Sequence, residues 1–364
     1  MMPVTRINIG PMYPSTHGEL RMVVYVDGNI IKRVEPRIGF LHRGVEKLME
    51  TRTYMQNPPY IEKLDYVAPL SWDDLYVSTV EMALGIQVKE AAQYARVVML
   101  EFQRIASHLL WLGTFCNNID MFFTVVMWAF RDRAMIIRFL EDVTGDRMFY
   151  MNLRLGGLNR PLPADFSERA HKLADYLEKT IPQYGEFLNN GPFAERTKGI
   201  GILEKDEAIA HGVSGPVLRA SGVDEDVRKS NPYYIYDKLR FIVPTGYKGD
   251  VHSRFVVRYK EMLQSARIIQ QALDKTPGGD VVGMPIKLIG PAAKPDTVIN
   301  NRELPKGEGL IYMVPDAQRP YRIYLRSPIY SNLAVLSHIT KECKTADLFS
   351  ILGSLDVVMG ECDK

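Results

Sequence analysis

Between Ala91 and Trp111 the chain has no Pro and no Gly and is apolar on most sides, a pattern that predicts a long helix buried within a bundle. A second helix is expected over Met121–Val143, stopping before Gly145. A third runs from Ser167 to Leu188 and carries Pro182, which should end or kink it. Glu204–His211 reads as a short helix closed by Gly212. Val251–Lys275 reads as another long one, ended by Thr276-Pro277-Gly278-Gly279. Period-two runs sit at the ends of the chain. Arg21–Val26 and Ile30–Val34 flank Asp27-Gly28, a hairpin signal that predicts a small antiparallel sheet. Leu310–Val314 and Tyr321–Leu325 alternate with loops near the C-terminus, before a last helix near Ala346–Leu352.

The fold class is therefore α+β, a helical-bundle core with a small N-terminal antiparallel sheet and a β-containing C-terminal region. The expected segments are 1–60 (β-rich), 61–280 (helical core) and 281–364 (mixed), packed as one structural body.

Within the first helix the exceptions to apolarity follow a rule. Glu101, Arg104 and His108 are spaced by three and four residues and share one narrow stripe. Burying such a stripe requires its members to pair, which points to an ion-pair network.

Composition adds exclusions. With 46% apolar and 24% charged residues the chain has ample material for a core, and disorder is excluded for its bulk. A formal charge of +2 gives no reason to expect a nucleic-acid partner. Cys116, Cys343 and Cys362 lie far apart without a CxxC, which excludes a zinc ribbon or a cluster held by this chain's own thiolates and suggests a reducing, cytosolic compartment. The most apolar run, Met121–Phe130, is far shorter than the roughly 20 residues of a membrane helix. No signal-peptide pattern opens the sequence, so membrane association is expected through partner subunits.

The candidate chemistry begins at Gly10-Pro11-Met12-Tyr13-Pro14-Ser15-Thr16-His17-Gly18, where His17 stands between small residues on a turn leading into a strand. It continues at Leu41-His42-Arg43-Gly44 and at Pro59-Tyr60-Ile61-Glu62-Lys63-Leu64-Asp65-Tyr66-Val67. Arg104–Leu109, Arg154–Gly157, Ser214–Gly222, Arg228–Ser230 and the ending Gly353–Glu361 complete the set. In this order, and nearly end to end, these segments resemble the 49-kDa-type subunit of respiratory complex I, including archaeal members that oxidise a reduced deazaflavin. That family is related to the large subunit of nickel–iron hydrogenases.

The resemblance implies a headgroup site for quinone, or for methanophenazine, with His17 and Tyr66 as its catalytic polar ends. It places Arg43 beside an iron–sulfur cluster held by a small partner subunit, and puts Asp65 with Glu101, Arg104 and His108 in a coupling or structural network. It further implies other peripheral-arm subunits and integral proton-pumping membrane subunits as partners, electrons originating from NADH, ferredoxin or a reduced deazaflavin, and a peripheral place on the cytoplasmic side of an energy-converting membrane. No cofactor and no metal is expected on this chain. Thiolates for a nickel–iron site are missing where Lys63–Ala68 stands, and near the second pair there is only Cys362. A hydrogenase-type large subunit and a non-catalytic scaffold for the iron–sulfur subunit are the alternatives.

Three positions depart from the family pattern. Tyr13 replaces the first signature histidine. Asn118 stands where an aspartate usually pairs with the quinone histidine, and Asp120, two residues on, is rotated by about 200° on a helix. Phe149 replaces a histidine near the cluster. These departures point towards a low-potential acceptor such as menaquinone, plastoquinone or methanophenazine.

Overall fold

The computed structural model describes residues 4–12, 16–119, 123–284 and 296–364. Tyr13 and Asp120 lie outside them.

The N-terminal sheet is antiparallel in the order β1 (Thr5–Ile9), β2 (Arg21–Asp27), β3 (Ile30–Arg37), with Thr5 opposite Val26 and Val24 opposite Val34. Gly28, at φ 61°, makes the turn between β2 and β3. Short helices α1 (Val45–Glu50) and α2 (Pro58–Ile61) lead to α3 (Pro69–Leu84). Proline starts α3 and the left-handed Gly85 ends it.

The bundle is built on α4 (Glu90–Asn118), which packs against α5 (Phe123–Thr144). The predicted helix thus runs seven residues beyond Trp111, so that Asn118 is its last residue. A two-residue ladder, β4 (Leu153–Arg154) with β5 (Gly157–Leu158), precedes α6 (Phe166–Leu188). Pro182 does not end α6. Leu173, Leu177, Ile181, Tyr184 and Leu188 form a continuous buried face. Packing that face compensates for the one backbone hydrogen bond a proline removes.

Helices α7 (Gly191–Thr197), α8 (Lys205–Ala210), α9 (Gly215–Ala220) and α10 (Val227–Ser230) follow. Then α11 (Val251–Asp274) packs on both α4 and α6. Its start is set by Asp250, whose carboxylate accepts from Ser253 N–H at 2.8 Å.

The C-terminal sheet is antiparallel, β6 (Val298–Leu304), β7 (Gly307–Pro315), β8 (Pro320–Arg326), and lies against α3. Helices α12 (Pro328–Ala334), α13 (Leu336–Thr340), α14 (Leu348–Ser354) and α15 (Met359–Cys362) close the chain. The helix expected near Ala346–Leu352 is α14, entered through a 3-10 turn over Thr345–Asp347. Contacts of α13 with β3 and of α1 with β8 tie the two ends of the chain together. That closure brings the motifs of both ends to one place.

Candidate functional site

Four chain segments cross there. His17 forms a parallel bridge with Val358; its N–H donates to Val357 C=O at 3.2 Å and its own carbonyl accepts from Met359 N–H at 2.7 Å. Gly18 follows with φ 105°, a conformation L-residues avoid. A Cβ at position 18 would lie 2.9 Å from Met359 Cβ, 3.1 Å from Leu41 Cδ2 and 3.4 Å from the Tyr66 hydroxyl. The glycine therefore lets Met359 close on this turn, with the Tyr66 hydroxyl beside the backbone directly after His17.

Arg43 pins the arrangement. Its guanidinium donates to Lys63 C=O at 3.0 Å and to Gly360 C=O, joining the Tyr66 segment to the C-terminal segment. Asp363 accepts from the N–H groups of Gly39 and Leu41, both at 2.8 Å, and so holds the loop that carries Arg43.

Beneath the crossing lies a buried charge cluster. Asp65 caps its own turn, accepting from Val67 and Ala68 N–H at 3.1 and 3.3 Å. Its other oxygen meets the Lys306 ammonium at 2.7 Å. Lys306 sits in the two-residue turn between β6 and β7, 1% exposed, and also reaches Ser107 Oγ at 3.3 Å. Backbone-to-backbone contact lets the turn enter: a Cβ on Gly215 would lie 2.3 Å from Gly307 Cα. Asp356 and Glu361 are buried in the same cluster, and the Glu361 carboxyl accepts from Trp72 Nε1 at 2.8 Å. The Lys306 ammonium faces these carboxylates.

Burial and its neighbours set the protonation states. Burial, with Asp65 adding, pushes the Tyr66 phenol up to about 12, so it is protonated at neutral pH. Burial lowers the His17 imidazole below the usual histidine range; Asp356 opposes this most strongly, with Lys306, Asp65 and Arg133 acting less. Burial and Asp65 push Glu361 well above the usual carboxylate range.

The helical stripe forms a second network deeper in the bundle. Glu101 accepts from Arg228 at 3.0 and 3.1 Å, from Tyr236 and Ser265 at 2.6 Å, and lies 3.4 Å from Arg104. His108 does not join that pair; its Nε2 is 3.0 Å from Glu261, which pairs with Arg219 at 2.7 Å. Asn118 lies elsewhere again, its amide beside Gly353 at the end of α14. Phe149 is stacked under the Lys63 ammonium, 4.9 Å from the ring centre.

Sequence reasoning did not single out Lys306, Asp356 or Glu361. The two acids stand in the C-terminal segment noted for its resemblance, whereas a lysine in a Pro-Lys-Gly turn carries no signal of burial.

The model of the family described as respiratory-chain NADH dehydrogenase, 49 Kd subunit, matches residues 121–294 and 286–364. The chain belongs to that family. A NADH-quinone oxidoreductase subunit of Dehalococcoides mccartyi is 42% identical over 98% of each chain. The corresponding NADH-quinone oxidoreductase subunit of Desulforamulus reducens is 41% identical over 98% of this chain and 97% of its own. A chloroplastic NAD(P)H-quinone oxidoreductase subunit of Agrostis stolonifera is 37% identical over the full length of both. These relatives are subunits of oxidoreductase complexes, and the likeness extends through the segments that carry His17, Arg43 and Tyr66. No described helix is long and apolar enough to cross a membrane.

Proposed function

We propose that this chain forms, with an iron–sulfur partner subunit, the site at which a complex I-type oxidoreductase reduces a lipid-soluble quinone. The observation that carries this reading is the approach of the Tyr66 hydroxyl to Gly18, beside His17, above a buried lysine–carboxylate cluster. A quinone that takes up two electrons needs two protons at its two oxygens to leave as a quinol. The neutral Tyr66 phenol serves one oxygen and the His17 imidazole the other. Arg43 faces the partner's cluster, whose role is to deliver the electrons one at a time.

The relatives' names speak of quinone, which supports quinone over methanophenazine as acceptor, and of NADH or NAD(P)H, which supports a nicotinamide nucleotide as donor. Ferredoxin or a reduced deazaflavin would reach the same site through a different input module. Asp65, Glu101, Arg104 and His108, with Asn118 at the end of α4 and with Asp120 of the sequence beyond it, carry the charge response towards proton-pumping membrane subunits. The subunit is then peripheral, on the cytoplasmic side of the membrane.

Tyr66→Phe and His17→Gln in the purified complex test the reading. Each is expected to lower quinone reduction by about 100-fold, the usual effect of losing one positioned donor, while electron entry to an artificial dye persists. Normal turnover in both variants would leave this chain a scaffold, and stoichiometric nickel on the chain would make it a hydrogenase-type large subunit.

A further inference from the structure

Between α10 and α11 the chain runs from Arg240 to Val243 without a turn or a bend. One edge of this run is bonded to α11. Gln271 accepts from Arg240 N–H at 2.9 Å and donates its own amide to Arg240 C=O at 2.8 Å. Gln264, two turns earlier on α11, accepts from Ile242 N–H at 3.0 Å. The glutamine side chains thus stand where a neighbouring strand would, pairing the N–H and C=O of one residue together. In extended backbone the residues between turn both groups to the opposite side. There, the N–H and C=O groups of Phe241 and Val243 make no hydrogen bond among the described residues. Pro244, which has no N–H, ends the edge.

Phe241, Ile242 and Val243 line a cleft of about 450 Å³ together with Asp224, Glu225 and Lys229. The Phe241 ring is buried, with the Lys229 ammonium 4.3 Å and the Arg228 guanidinium 5.0 Å from its centre. Ile242 points outward and is 72% exposed. Glu225 accepts from the Ser230 hydroxyl, whereas the exposed Asp224 carboxylate has no hydrogen bond or ion pair among the described residues.

A line of unpaired N–H and C=O groups on extended backbone is a template for another strand. A helix cannot fill it, because its own backbone groups are already bonded within it. We infer that this edge docks an extended segment of a partner subunit, added as one more strand alongside Phe241–Val243. A Lys or Arg of that segment meets Asp224 and Glu225, and an apolar side chain covers Ile242. The surface takes no residue from the crossing of His17, Arg43 and Tyr66, and stands whether or not those side chains serve a quinone. It does touch the α4 network, since the Phe241 ring rests on Arg228, which pairs with Glu101 at 3.0 Å.

The test is hydrogen exchange at single-residue resolution in the purified complex. Within this chain the amides of Arg240 and Ile242 are bonded and those of Phe241 and Val243 are not, so this subunit alone gives alternating slow and fast exchange. With a partner strand in place all four should be slow, Phe241 and Val243 by on the order of 100-fold relative to an unstructured peptide. Exchange at Phe241 and Val243 within about tenfold of the unstructured rate overturns the inference. Val243→Pro removes one donor while leaving both glutamine bonds, and should speed exchange at Phe241 by about tenfold. Asp224→Lys, at an exposed side chain, should do the same, and carries the test if Val243→Pro does not assemble. A Phe241 amide that stays slow in the assembled variants is protected by this chain's own packing, which also overturns the inference. A benzophenone amino acid at position 242 identifies the occupant. Cross-links to a non-helical segment of another subunit, next to a Lys or Arg, support the assignment; cross-links to a helix or to a second copy of this chain contradict it.

Discussion

Replacing Lys306 by Met removes the ammonium while keeping much of the side-chain volume. At the observed 2.7 Å from Asp65, and with an effective dielectric constant of about 20, the attraction lost is about 6 kcal/mol. Part of that is offset because the ammonium no longer has to be desolvated, so the net destabilisation from breaking a buried pair is about 3–5 kcal/mol. At roughly 2.1 cal/mol/K per residue, a 364-residue chain unfolds with about 0.8 kcal/mol/K, which converts the loss to about 4–6 °C in Tm. The assay is thermal release of this subunit from the purified complex, followed beside quinone reduction. Asp65→Asn retains the acceptor for Val67 and Ala68 N–H, so the double variant should recover at least half of the loss. The pH dependence has a definite sign. Burial would lower the Lys306 pKa, but Asp65, Asp356 and Glu361 together raise it, so the pair's contribution is complete below the unfolded value of about 10.5 and fades only above it. A Lys306→Met complex that melts within 1 °C of the parent, or a double variant no better than the single, would refute the reasoning.

Other outcomes follow from the same geometry. Glu361→Gln replaces the carboxyl by an amide of the same shape that still accepts from Trp72, and should change Tm by less than about 2 °C at pH 4. Because burial raises the Glu361 pKa, the parent's own loss sets in as pH rises above the usual carboxylate value, so the comparison should favour the glutamine variant more at pH 8 than at pH 4. Glu261→Gln should cost about 3–5 kcal/mol at pH 7, measured by denaturant or heat, since it leaves Arg219 and His108 facing an amide. Arg219 overcomes burial to hold Glu261 down to about 2, so that penalty is complete above the unfolded carboxylate pKa and should shrink as pH falls towards 2. Gly18→Val meets Met359 and the Tyr66 hydroxyl at a positive φ, and should abolish quinone reduction in a complex that still passes electrons to a dye.

Much of the bundle was legible because the pattern was strong. The α4 run, the Asp27-Gly28 turn and the Thr276–Gly279 stop all combine local chemistry with an unbroken period. Helix α3 was not anticipated. It is buried nearly all round and carries Asp73, Asp74, Ser78, Thr79 and Glu81 inward, so it shows no polar face. Two of its acids are matched from afar: Glu81 by Arg96 at 2.7 Å, Asp74 by Tyr234 at 2.7 Å. Only tertiary structure reveals such partners. The stripe of Glu101, Arg104 and His108 was visible as a spacing, but the division of His108 to Glu261 depended on α11, some 150 residues later in the chain. The crossing of His17, Arg43 and Tyr66 could be expected from resemblance; the lysine beneath it could not, because a hairpin tip is ordinarily solvated. Pro182 does not end α6 for a related reason, its cost being local and its compensation coming from the packing of the helix's buried face.

The central claim is that Tyr66 and His17 grip the two ends of one acceptor headgroup. A structure of the purified complex with a short-chain quinone bound tests it most directly. The account predicts one quinone oxygen within about 3 Å of the Tyr66 hydroxyl and the other within the same reach of the His17 imidazole. A headgroup bound against other residues, with both side chains remote from it, would contradict the account.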